Sequence, residues 1–164
     1  MQDELRMRQQ LQIQKEIKDN EEKLIEIARD LIEKENDQCI HIYDKRPNDN
    51  GILQDILEEN QIRNILNVAL EANAIGIIEV FIKYQIGRSE SNSKWKFNKF
   101  GLSLVKTIVK DGDIYELASQ IISKLRLDDS HLNDIWLRLT RLYLGHMNRY
   151  FYYRKKTANS EEDN

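Results

Sequence analysis

One proline in 164 residues is the feature that most limits what this chain can fold into. Proline and glycine are the strongest breakers of helices, and Pro47 stands here with only six glycines. Leu, Ile, Glu, Lys and Gln are abundant, and such side chains lose little freedom in a helix. The expected fold is therefore all-α: a bundle of about five or six helices, with a long N-terminal helix and a long C-terminal helix. The length fits one domain with room for an extension.

Cys39 is the sole cysteine and has no internal partner for a disulfide, which fits a reducing cytoplasm. No apolar run approaches the roughly 20 residues of a membrane span. The opening MQDELRMRQQ lacks the apolar stretch of a secretory signal. A cytoplasmic protein without membrane contact is expected.

Residues 3–35 contain no Gly or Pro, and Leu24, Ala28, Leu31 and Ile32 recur at helical spacing, which predicts one long helix. Its first half is thinner, with Leu5, Leu11 and Ile17 among Gln, Arg and Lys, and needs a neighbouring helix to stay folded. Residues 36–51 hold the proline and a cluster of turn formers, and read as a loop. A bundle domain over 52–156 follows. Ile62, Ile65, Leu66, Ala69 and Leu70 form one stripe after Asn60, and Ile78, Phe81 and Ile82 face inward from the next helix. Shorter helices over 102–109 and 114–125 flank a turn at Asp111–Gly112–Asp113, and Asp128 or Ser130 caps a last helix over 131–156. Residues 157–164 read as a disordered acidic tail.

At about 100° per residue, Leu132, Ile135, Trp136, Leu139, Leu142, Tyr143, His146, Met147, Tyr150 and Tyr153 share the core side of the last helix. Arg138, Arg141 and Arg149 fall on the far side, as a ridge facing water or a ligand. Leu137, Leu144 and Phe151 repeat every seven residues beside that ridge, and are expected to contact another subunit or another element.

Charge is divided unevenly. Residues 1–60 hold 9 basic and 16 acidic side chains, whereas residues 61–156 hold 16 basic and 9 acidic. The basic part is threaded with Trp95, Phe97, Phe100, Tyr143, Tyr150, Tyr152 and Tyr153. Cations interleaved with aromatic rings suit a polyanion whose bases can stack. Residues 87–101 concentrate the pattern: Lys94, Trp95, Lys96 and Lys99 in a Ser/Asn-rich loop, with Arg63, Lys83 and Arg88 adding charge on the adjoining helices. A base stacked on a ring such as Trp95 is typically worth ~1–3 kcal/mol. The competing reading is that Trp95 folds onto the core while the lysines are solvated.

Catalytic material is sparse: there is no phosphate-cradling glycine loop, no cysteine pair and no metal-ligand spacing. Asp111 and Asp113 are better explained as turn residues. No metal and no cofactor are expected, and the chain is not expected to be an enzyme. Arg141 and His146, with four residues between them, are similar to the signature of the helical HEPN ribonucleases, in which Arg and His pair across a dimer to cleave RNA. Five residues of helix set the two about 140° apart, which places His146 on the core side.

A second resemblance covers residues 60–155. Gln61-Ile62-Arg63-Asn64-Ile65-Leu66, then Phe81-Ile82-Lys83-Tyr84-Gln85-Ile86-Gly87-Arg88, a Trp-bearing loop, Gly101 and a long closing helix resemble the small helical subunit of type III CRISPR effector complexes. The opening elements resemble the subtype A version, and Trp136-Leu-Arg-Leu-Thr-Arg-Leu is nearer the subtype B version. The long N-terminal helix and acidic tail depart from many small subunits. The resemblance implies a non-catalytic bundle for antiviral defence, stacked on copies of itself beside the backbone and large subunits. It would hold guide RNA and target RNA without reading sequence, through phosphate contacts at Arg63, Arg88, Lys94, Lys96, Arg138, Arg141 and Arg149. A protein-binding adaptor acting through the N-terminal helix is the remaining alternative.

Overall fold

The glycine-free N-terminal run forms two helices end to end, α1 (Gln2–Asp19) and α2 (Glu21–Cys39), jointed at Asn20. The structure is a computed structural model and describes residues 1–39, 59–89 and 100–161. Four helices follow: α3 (Glu59–Glu71), α4 (Ile75–Arg88), α5 (Phe100–Ile108) and α6 (Asp113–Leu125). A 3₁₀ turn at Asp129–His131 leads into the long α7 (Leu132–Glu161). Every regular element among the described residues is helical, so the fold is an all-α bundle with long helical runs at both ends.

Asn20 turns the expected single helix into a jointed rod. Its backbone N–H reaches the carbonyls of both Glu16 and Ile17, and its side-chain amide donates to the Glu16 carbonyl at 2.8 Å. Asparagine offers such local alternatives to the helical ladder. Beyond the joint, α2 buries Leu24, Ala28, Leu31 and Ile32, as their spacing predicts. It continues through residues 36–39, which read as loop from sequence; the rest of that loop, residues 40–51, lies outside the described residues. On the other side, α1 is tied down only near its end, by buried Ile13 and Ile17 and by the Lys124 ammonium donating to Glu16 at 2.8 Å.

The centre of the bundle is α7, which packs on α2, α3 and α6 together. Ile135, Leu139, Tyr143 and Met147 are buried, and so are Leu137 and Leu144. The stripe expected to meet another subunit therefore belongs to this chain's own core, with Phe151 half-buried against it. Thr140 explains the difference. It lies between the two apolar stripes, fully buried, and its hydroxyl donates to the Trp136 carbonyl at 2.8 Å. A hydroxyl satisfied on its own helix is tolerated in a core, so the stripes merge into one broad inward side. The helix also extends through residues 157–161, which read as tail from sequence.

The indole N–H of Trp136 donates to the Ile108 carbonyl at 2.8 Å, and its ring meets Tyr115 edge-on at 4.9 Å between centroids. Leu70, expected in the α3 stripe with Ile62, Ile65 and Ala69, is instead 58 % exposed.

Burial pushes the Tyr143 phenol well above its ordinary value of 10.0; the Thr107 hydroxyl beside it offsets part of this, and the Asp113 charge adds to it. Thr107 gives its own proton to the Ser103 carbonyl, and the Tyr143 hydroxyl closes no hydrogen bond of good geometry. Tyr150 shifts the same way, from burial and its bond to Glu33. A folded-state value raised above the unfolded one gives stability that is complete below about pH 10 and lost as pH climbs through the folded value. Alkaline unfolding, followed by circular dichroism, should therefore begin above about pH 10. Tyr143→Phe should keep the fold and move it upward; an unchanged midpoint would contradict the assignment.

Candidate nucleic-acid interface

Six of the basic residues singled out from sequence lie among the described residues, and they do not form one open surface. Lys83 pairs with Glu79 one turn away at 2.6 Å, and Arg138 lies 3.4 Å from Asp134. Such exposed pairs are weak, yet each places a carboxylate where a phosphate would have to sit. Arg141 departs furthest from expectation. Its Nε donates to the Ala69 carbonyl at 2.9 Å and its Nη2 to the Ala72 carbonyl at 2.7 Å. The last carbonyls of a helix lack partners within it and carry partial negative charge, so the end of α3 draws this guanidinium inward. Arg141 is a cap between α7 and α3, and no longer a member of a ridge facing a ligand.

Arg63, Arg88 and Arg149 are exposed. The Arg88 guanidinium lies over the Tyr84 ring, 5.7 Å from its centroid. Lys94, Trp95, Lys96 and Lys99 lie outside the described residues.

The basic and aromatic pattern comes together most clearly over the last turns of α7. Tyr152 is 48 % exposed, and Tyr153, expected on the core side, is instead 56 % exposed, since Tyr150 and Phe151 are the last apolar residues of α7 packed on the core. The Tyr150 and Tyr153 rings lie 6.0 Å apart at 34°, Lys156 sits over the Tyr152 ring at 5.4 Å, and Arg29 of α2 sits over the Tyr150 ring at 5.6 Å. Arg149 opens beside them, with Nη1 3.5 Å from His146 Nδ1. Glu33 anchors this end: it accepts from the Tyr150 hydroxyl, and Arg154 Nε lies 2.9 Å away as an ion pair whose N–H is not aimed at the oxygen. Chemically the cluster offers ring faces for stacking and cations for phosphates, and no nucleophile beside a base.

The i, i+4 spacings of Tyr84 with Arg88 and of Tyr152 with Lys156 were visible signals in the sequence. Arg29 was not, because it is one of three scattered cations in an acidic helix and reaches Tyr150 only through the packing of α2 on α7.

The Arg141–His146 pair is separated by its partners. While Arg141 caps α3, His146 Nε2 lies 2.8 Å from the Glu21 carboxylate of α2. Among the described residues no group of three or more His, Cys, Asp or Glu could hold a metal ion. Among them, too, no helix is long and apolar enough to cross a membrane. No protein-family model, curated protein or solved structure matches this chain.

Proposed function

We propose that this chain is a non-catalytic, cytoplasmic RNA-binding subunit of a ribonucleoprotein, in the manner of the type III CRISPR small subunit that residues 60–155 resemble. Guide and target RNA and the complex's backbone and large subunits are the partners of this reading. The observation that carries it is the exposed tyrosine pair at the end of α7, bordered by Arg29, Arg149 and Lys156. Rings give a sequence-indifferent stacking platform, and cations around them neutralise the strand.

The test is the anisotropy of a labelled single-stranded RNA titrated with the full chain. With about three phosphates neutralised, the logarithmic salt slope should be near −2. Tyr152→Ala with Tyr153→Ala should weaken binding about 5- to 100-fold at unchanged helicity, the value of one lost stacked base. Arg149→Glu should weaken it further. No binding at low salt, or variants that bind like the parent, would overturn the reading.

One observation favours the adaptor reading instead. Residues 1–8 and 10–12 are exposed, so the first three turns of α1 project from the bundle with Leu5, Met7 and Leu11 uncovered. A helical stretch of that length is marginal in water by itself, and a protein partner packed along it would hold it.

A further inference from the structure

α4 is apolar on nearly every side: of its fourteen residues only Glu79, Lys83 and Arg88 are charged. A helix of that composition is normally covered all round. Here α3, α5 and α7 cover part of it, burying Ile75, Ile78 and Ile82. The remaining side leaves Ile77 at 48 %, Val80 at 66 % and Tyr84 at 59 % exposure. These three recur at i, i+3 and i+7, so they form one stripe. Gly76 and Gly87 lie on the same side with open space where a Cβ would stand, which keeps both ends of the stripe low. In α1, by contrast, Leu5 and Met7 are about 200° apart and make no continuous stripe.

We propose that this stripe pairs with the same stripe of a second copy, antiparallel, in a closed two-fold dimer. The charges on its flank choose both the occupant and the direction. Glu79 and Lys83 sit on one flank, one turn apart. A two-fold axis that reverses the helix direction brings like flanks together, so Glu79 faces Lys83 of the second copy, and Lys83 faces its Glu79. In that register Val80 meets Val80 near the axis, and Ile77 meets Tyr84. A parallel pairing would instead put these flanks on opposite edges of the contact, where neither Glu79 nor Lys83 meets an opposite charge of the second copy. The stripe is therefore complementary to itself in one orientation only, and two exposed apolar faces are removed from water together. The pairing uses neither the tyrosines at the end of α7 nor any RNA, so it stands or falls separately from the proposed function.

The experiment is sedimentation equilibrium of the full chain over a range of concentrations. The parent should shift from the chain mass of 19.5 kDa towards twice that value as concentration rises. Val80→Asp should remain at the monomer mass, with circular dichroism and Tm unchanged at concentrations where the parent is also monomeric. Glu79→Lys and Lys83→Glu should each weaken the dimer, and the double exchange, which restores opposite charges across the axis, should recover it. A parent that stays monomeric at its highest soluble concentration overturns the proposal. So does a dimer indifferent to Val80→Asp, which would place the contact elsewhere, or a monomer destabilised by that change, which would mean the chain itself covers the stripe.

Discussion

Replacing Gly112 by alanine is expected to lower stability by about 3–5 kcal/mol, or to abolish folding. Gly112 joins α5 to α6, and a Cβ built on it would stand 2.1 Å from the Lys106 carbonyl oxygen and 2.6 Å from that of Thr107. Both are backbone atoms in the last turn of α5, so no rotamer change relieves the overlap, and one helix must move off the other. Conformation is not the obstacle. The backbone at Gly112, φ −88 and ψ 168, suits any residue, whereas it is Asp111 that takes the left-handed conformation, at φ 66. The prediction is therefore asymmetric. Gly112→Ala should collapse the thermal transition seen by circular dichroism, while Asp111→Gly, which relieves a left-handed non-glycine, should be tolerated. Equal effects from the two would show that the glycine serves only the turn.

Leu144→Ala is expected to destabilise the isolated chain by about 2–5 kcal/mol, because it empties a fully buried site on the central helix. For a chain of this size that is a fall in Tm of roughly 5–15 °C. The same change distinguishes the two roles that the seven-residue repeat of Leu137, Leu144 and Phe151 could have. A leucine held for another subunit would be exposed in the isolated chain, and its truncation would alter stability by no more than about 0.5 kcal/mol. Denaturant unfolding at low protein concentration, where no assembly persists, measures the difference.

These two positions also show what the sequence could and could not disclose. Spacing alone located the α2 stripe from Leu24 to Ile32, the burial of Ile78 and Ile82, and the Asp111–Gly112–Asp113 turn, because each depends on near neighbours in the chain. Periodicity misread α7, since buried Thr140 divided one inward side into two apparent stripes, and only its bond to the Trp136 carbonyl shows why it is tolerated there. The break at Asn20 depends on a single side-chain amide competing for the Glu16 carbonyl, which no periodicity registers. Arg141 is the clearest case at the candidate site. Its position on the wheel was legible, but the unpartnered carbonyls at the end of α3 that it serves come from residues about seventy positions earlier. The basic surface read from composition accordingly contracts to Arg63, Arg88, Arg149 and the tyrosine cluster, within the described residues.

Photo-crosslinking of the full chain to a uridine-rich single-stranded RNA, with the attached peptides sequenced, tests the central claim most directly. Adducts are expected at residues 149–156, concentrated on Tyr152 and Tyr153 and suppressed by added salt. Absence of adducts there, or adducts confined to the projecting turns of α1, would contradict it.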